Sequence, residues 1–455
     1  MIAWTPDPLP RGKPRYIAIA DAIAEDIRNG RLTDGARLPA QRGLASVLGV
    51  DFTTVSRAYS EAQARGHVES HVGRGTFVKA RVVANRPDSS RDAEVDLSMN
   101  MPPEPQDPEL RRRMQEGLGY VSANLVDLLR YQSTVGAERD RVAASSWLSM
   151  RGMVPSLERV SVTPGAHATM AAILSVISKP GDRVLCEAIT YPGLRNLAGR
   201  YGLTLHGLEM DEDGILPEAL ADGIRSHRPV ALYLNPTLQN PTTLTIPEAR
   251  RLQIAELLRR HKLPLIEDDA YGFIPARAPA PIAVSIPDLT WHIGGLAKCI
   301  GAGLRLAFTI APTAALSHQM AQAIRALAVM PSPLAMALTT QWIEDGTADA
   351  IRRFIREESA ARQKLAAEVL SNAAFRSAPN AFNLWLDLPS GVGRAGVLAR
   401  MARRKIGLVP SDAFAVLEPP REQLRVCLGG PGTRATLAEN LNVLASALEH
   451  ESFVG

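Results

Sequence analysis

Residues Trp291–Phe308 read WHIGGLAKCIGAGLRLAF. Lys298 stands in a glycine-rich turn that follows an apolar run ending at Ile293, and Arg305 opens a second β-like run, Leu306 to Ile310. Glycines let a backbone come close to a bound group. Partial desolvation lowers an amine's pKa so that it can attack a carbonyl, which is what a Schiff-base lysine requires. A neighbouring arginine suits a phosphate, because its planar fork pairs with two phosphate oxygens at once.

The upstream runs end on polar groups in the same way. Leu263 to Ile266 is apolar and leads into Glu267-Asp268-Asp269-Ala270-Tyr271. Acidic residues then lie at the C-terminal end of a buried strand, where α/β folds place their ligands. Ala231 to Leu234 leads into Asn235-Pro236-Thr237-Leu238-Gln239-Asn240-Pro241-Thr242. Val160 to Thr163 reads as a strand, and Pro164-Gly165-Ala166-His167 opens a helix through Ile177, whose N-terminal N–H groups offer a phosphate site. Strand Arg183 to Cys186 leads to Thr190-Tyr191-Pro192-Gly193, and helical spacing covers Leu110 to Ser122 and Ala137 to Met150. This alternation predicts an α/β domain with a mainly parallel sheet and helices on both faces. Past Pro331, one long helical stretch to about Leu370 and strands around 383–386 and 424–428 predict a smaller C-terminal α+β domain, residues 331–455.

The order Asn, Asp, Tyr, Lys, Arg at successive strand ends resembles the fold-type I pyridoxal-phosphate (PLP) enzymes, the aspartate aminotransferase superfamily, over about residues 96–455. The resemblance implies that Lys298 carries PLP as a Schiff base and that Asp268 pairs with the pyridinium nitrogen. It implies that Asn240 and Tyr271 bond the phenolic oxygen and that Tyr191 stacks on the ring. Arg305 and the backbone of Gly165, Ala166 and His167 would take the phosphate, with Tyr131 reaching across from a second subunit. Arg425 would grip an amino-acid carboxylate. Two departures stand out. Gly295 and Ala297 replace hydroxyl residues usual before the lysine, and Thr243 replaces a glycine after Asn240-Pro241-Thr242, putting a β-branched residue at a position of unusual φ.

The first 78 residues have a different pattern. One-faced helical spacing runs from Arg15 to Asn29, a short helix from Ala40 to Leu48 is closed by Gly49, and a third helix capped by Asp51 or Thr53 reaches Arg65. A hairpin follows around Gly73-Arg74-Gly75. The motifs GRLTDGARLPAQRGLASVLGV (30–50), TTVSRAYSEAQARGHVE (53–69) and GRGTFV (73–78) resemble the winged helix-turn-helix of GntR-family regulators. By that resemblance Arg42, Thr53, Thr54 and Arg57 face operator DNA and Arg74 sits at the wing tip. Asp51-Phe52 stand where the family usually has a hydroxyl residue and an arginine, which removes one basic contact. Residues 79–95 are polar and without period, and read as a linker.

A winged helix joined to an aminotransferase-like body resembles the MocR subfamily of GntR regulators. That implies a homodimeric, PLP-dependent transcription factor that binds paired half-sites and senses PLP or an amino compound. A working aminotransferase with an attached DNA-binding module and a cofactor-free repressor are the other readings. Composition is compatible with all three. Hydrophobic residues make up 46% and charged residues 22%, and 51 basic against 47 acidic residues leave +4, too mild to demand a nucleic-acid partner by itself. No apolar run is long enough to span a membrane. Cys186, Cys299 and Cys427 form neither a disulfide framework nor a metal pattern, and fit a reducing cytoplasm.

Overall fold

The computed structural model describes residues 4–7, 12–33, 35–71, 75–79, 97–417 and 421–451. The chain falls into two compact units, residues 1–92 and 93–455.

In the first unit, helices Arg15–Arg28, Gln41–Leu48 and Phe52–Ala64 precede the antiparallel strands Val68–His71 and Gly75–Val78. Ile19, Ile23, Leu44, Val55, Ala58 and Tyr59 bury the apolar stripe of each helix in one core. Of the two capping candidates, Asp51 caps the third helix: its Oδ1 accepts from the N–H of Thr53 at 2.8 Å. Arg74 and most of the expected linker lie outside the described residues.

In the second unit, a seven-stranded sheet runs in the order Val160–Thr163, Ala307–Ile310, Thr290–Gly295, Leu265–Asp268, Ala231–Leu234, Arg183–Glu187, Thr204–Leu208. The strand Ala307–Ile310 is antiparallel to both of its neighbours, and the other pairings are parallel. Both faces are covered, which explains why the central strands are continuously apolar rather than alternating. Tyr233 and Ile266 join the core of helix Ala166–Ile177, while Leu232, Leu234 and Leu265 join that of helix Glu248–His261. The strand expected at 263–266 begins two residues later, so Asp268 is its last residue.

The helical stretch after Pro331 is two helices, Pro333–Glu344 and Thr347–Val369, separated at Gly346 with φ +77°. The first packs Met336 and Trp342 into the same core as Trp147 of helix Glu138–Ser149 and Phe308 of the large sheet. The core of the four-stranded sheet takes Leu97 from the start of the unit together with Ala366, Leu370 and residues beyond, while Ile351 and Ile355 earlier in the second helix join the large sheet's core. Its four strands, Phe375–Arg376, Asn383–Asp387, Gln423–Cys427 and Val409–Pro410, form an antiparallel sheet backed by helices Arg394–Arg403 and Arg434–Glu451.

Candidate functional site: a lysine cavity at the strand ends

The C-terminal ends of the parallel strands converge on a cavity of about 420 Å³ in the second unit. Lys298, Asp268, Tyr271, Asn240, Tyr191, Arg305, Gly165, Ala166, His167 and Arg425 all line it, although they are scattered along the sequence from Gly165 to Arg425. Tyr131 is not among the residues that line it; it is 86% exposed, just beyond the short helix Leu125–Leu128.

Lys298 leaves the turn after strand Thr290–Gly295, and its ammonium donates to the Asn100 carbonyl. Desolvation draws its pKa down to about 8, with Arg425 and Arg305 adding to the effect while Cys427 and Asp268 oppose it. The Asp268 carboxylate is buried: Oδ2 accepts from the Tyr233 hydroxyl at 2.9 Å, and Oδ1 is buried with no partner. Burial raises its pKa to about 6. A buried acceptor left open in this way is costly unless something donates to it.

The phosphate side is built differently. Gly165, with φ +90°, precedes helix Ala166–Ile177, and a Cβ there would come within 3.4 Å of the Arg305 backbone. The helix's first N–H groups have no intrahelical acceptor. The Arg305 side chain has no ion pair or hydrogen bond among the described residues, so a free guanidinium faces the same cavity. His167 Nδ1 is buried without a partner, and the ring stands edge-on to Tyr191 with centroids 6.4 Å apart. Burial, then Arg305, lowers the His167 pKa. Gly295 and Ala297 line this region without hydroxyls. An anion therefore meets backbone N–H groups and one guanidinium here, with the imidazole adjacent.

Arg425, on strand Gln423–Cys427, donates to Asn240 Oδ1 at 2.8 Å and to the Ser98 carbonyl at 2.6 Å, and its Nε is buried without a partner. The Tyr271 hydroxyl accepts from Asn100 Nδ2 at 2.9 Å, and burial raises its pKa. Thr243 adopts φ +63°, so this β-branched residue does occupy the left-handed conformation. Sequence reasoning missed Ser98, Met99, Asn100 and Met101, which form one wall of the cavity. They lie in a segment with no periodic pattern, and only the distant Lys298 and Arg425 reveal its place.

The donor set fits PLP: an enclosed amine of lowered pKa, an open carboxylate oxygen, an anion cradle, and aromatic walls. In the first unit, Thr53 and Arg57 are exposed and Thr54 is half-buried at the start of the third helix. The Arg57 guanidinium lies 4.3 Å from the Tyr16 ring centroid, and that of Arg42 lies 5.8 Å from Phe52. These stacks hold both arginines partly against their own domain.

Residues 93–444 match the family "Aminotransferase class I and II", and residues 15–78 match "Bacterial regulatory proteins, gntR family". An uncharacterized HTH-type transcriptional regulator of Bacillus subtilis (strain 168), YdeF, is 26% identical over 98% of this chain and 97% of its own length. The probable rhizopine catabolism regulatory protein MocR of Rhizobium meliloti is 26% identical over 77% of this chain and 76% of its own. Among solved structures, LysN, the alpha-aminoadipate aminotransferase of Thermus thermophilus, superposes with a TM-score of 0.72 at 21% identity, covering 87% of this chain and 100% of that one. The fold is thus that of the aminotransferases. The chain belongs to the class I and II aminotransferase family and carries a GntR-type winged helix before it, the organisation of the MocR regulators.

Proposed function

We propose that this protein is a DNA-binding transcriptional regulator whose aminotransferase-like body holds PLP on Lys298 and responds to PLP itself or to an amino compound. The observation that carries this reading is the presence, in one chain, of a GntR-type winged helix and a cavity in which Lys298 and Asp268 face the same space. When bound, PLP supplies an aldehyde that condenses with amines and a ring that withdraws electrons.

The protein's own groups divide the work. Lys298, with a pKa near 8, has a useful neutral fraction at physiological pH. Asp268 Oδ1 is the acceptor for a protonated ring nitrogen. Arg305 and the N–H groups of Ala166 and His167 hold the phosphate, while Gly165, whose own N–H donates to the Thr163 carbonyl at 2.7 Å, lets the backbone come close. Tyr191 covers one face, Asn240 and Tyr271 border the phenolic oxygen, and Arg425 takes an acid group on the ligand. In the first unit, Arg42, Thr53, Thr54, Arg57 and Arg74 contact operator DNA.

A homodimer is part of this proposal. Leu125, Val126, Leu129 and Tyr131 are 43%, 72%, 68% and 86% exposed, an apolar strip of the kind that marks protein interfaces. On this reading Tyr131, exposed on that strip, serves a second subunit's cavity, and two DNA-binding heads imply paired half-sites in a cytoplasmic regulator. Linker 79–95 connects head and body. Fluorescence anisotropy of duplexes from the gene's own upstream region, with and without PLP and amino compounds, tests the reading. A site bound with salt-resistant specificity and shifted by either addition supports it; indifference to both refutes the sensing.

The lowered pKa of Lys298 also favours a second reading, an active aminotransferase, because an amine of that pKa can accept and return a proton near neutrality. Sustained conversion of an amino donor and a 2-oxo acid would select it; arrest after the amino compound binds would select the sensor.

A further inference from the structure

Residues 97–103 form a strap across the cavity, fixed at both ends to the smaller domain's strand Gln423–Cys427 and the turn after it. The Cys427 N–H donates to the Leu97 carbonyl at 2.8 Å, and the Gly430 N–H donates to the Pro102 carbonyl at 3.2 Å. Between them Gly429 has no space for a side chain, since a Cβ there would sit 1.7 Å from the Met101 carbonyl oxygen. The strap's middle, Ser98 to Met101, lines the cavity.

Two carbonyls of that middle occupy two of the cavity's three cations, leaving Arg305 open. The Ser98 carbonyl accepts from Arg425 Nη2 at 2.6 Å, and the Asn100 carbonyl accepts from Lys298. The Asn100 side chain is itself buried. Its Nδ2 donates to the Tyr271 hydroxyl at 2.9 Å, with Asn383 Oδ1 at 3.4 Å, and its Oδ1 is left without a partner. A neutral carbonyl is a weaker partner for a guanidinium than an anionic acid group, which forms a shorter and roughly twice as strong bond.

We propose that Ser98–Met101 is the ligand-reading segment, and that Asn100 is its selecting residue. With PLP on Lys298 the Asn100 carbonyl gives up that donor and the Ser98 carbonyl stays on Arg425, so a compound carrying both an amine and an anionic acid group, carboxylate or sulfonate, displaces the Ser98 carbonyl from Arg425. Asn100 Oδ1 accepts a hydrogen bond from the incoming ligand. An amine without an acid group leaves the Arg425 contact in place. The strap lies within the first dozen residues of the second unit, close in sequence to the linker that leads to the winged helix. The proposal rests on the reading of Arg425 and Lys298 given above.

Hydrogen exchange by mass spectrometry on the PLP-loaded full chain, read on peptides covering 97–103, tests it. The twenty standard amino acids and taurine are first screened for a change in visible absorbance; ethylamine supplies the amine alone and propionate the acid alone. An acid-bearing hit is expected to raise exchange across the strap by about threefold or more, as expected for release of a locally held segment, while ethylamine leaves it unchanged. Arg425→Gln is expected to raise it with no ligand, and Arg425→Lys, which keeps the charge, provides a second variant should the first fail to fold. Asn100→Ala is expected to narrow the affinity difference between acid-bearing hits. Strap exchange that is the same in the Arg425 variants, the liganded protein and the unliganded protein would overturn the inference, as would an ethylamine effect equal to that of an amino acid. If no compound in the screen changes the absorbance, amino-compound sensing fails, yet the Arg425 variants still decide whether the guanidinium holds the strap.

Discussion

Tyr233 donates its hydroxyl to Asp268 Oδ2 at 2.9 Å and thereby fixes the carboxylate with Oδ1 turned to a place where no protein group meets it. Tyr233 is fully buried, so the bond holds the carboxylate at the end of its strand. The arrangement makes Asp268 a liability to the protein without cofactor and an asset once a protonated ring nitrogen is beside it.

That trade has a measurable sign. Burial raises the Asp268 pKa from 3.8 to about 6. The stability linked to its neutral form is full below the unfolded value and is lost as pH rises through about 6. Cofactor-free Asp268→Asn is therefore expected to be more stable than wild type at pH 8, by on the order of 1–3 kcal/mol, with little difference at pH 4. The same variant binds PLP more weakly. Denaturant midpoints at the two pH values check this, and a variant less stable than wild type at pH 8 would contradict it.

Lys298 makes a kinetic prediction. The neutral amine is the nucleophile, and its pKa lies near 8 rather than 10.5. The rate of PLP uptake is expected to rise about tenfold per pH unit up to roughly 8 and then level off. Stopped-flow absorbance from pH 6 to 10 records it. A rate still climbing at that slope at pH 10 would show an amine in ordinary water.

Much of this site could be read from the sequence because each group sits where a regular pattern stops. Lys298 follows an apolar run, Asp268 closes another, and Gly165 precedes a helix, so local periodicity locates them. The strap could not be read in this way. Asn100 meets Lys298 across 198 positions and Tyr271 across 171, and Ser98 meets Arg425 across 327. Nothing local in SMNM encodes those contacts. Which core the helix after Pro331 joins was hidden for a related reason. Helix Pro333–Glu344 has ordinary apolar spacing, and only its packing of Trp342 beside the large sheet shows which core it joins. The antiparallel course of Ala307–Ile310 likewise depends on the tight turn at Gly301–Arg305, which apolar patterning does not report.

Thr243 tests backbone strain. Its φ of +63° costs a non-glycine residue about 1–2 kcal/mol. Glycine there relieves that cost, which offsets the lost side-chain burial and the greater freedom of glycine in the unfolded chain. Thr243→Gly is expected to change stability by less than about 1 kcal/mol, whereas Thr309→Gly, equally buried but in an extended strand, should cost at least about 1 kcal/mol more. Equal losses at the two sites in chemical denaturation would argue against strain at Thr243.

For the DNA-binding head, Arg42 is exposed at the second helix and stacks on Phe52 at 5.8 Å. Removing one phosphate-contacting cation lowers the slope of log affinity against log salt by about 0.9. Arg42→Ala is expected to show that change on duplex DNA of any sequence, with the fold intact by circular dichroism. An unaltered slope would assign Arg42 to Phe52 alone.

The central claim is a covalent bond between Lys298 and the aldehyde of PLP. Purified protein incubated with PLP, reduced with borohydride and digested should yield a phosphopyridoxyl group on the peptide containing Lys298, and a visible absorbance band before reduction. Lys298→Ala should show neither. A label spread over surface lysines, or a band that persists in Lys298→Ala, would contradict the account.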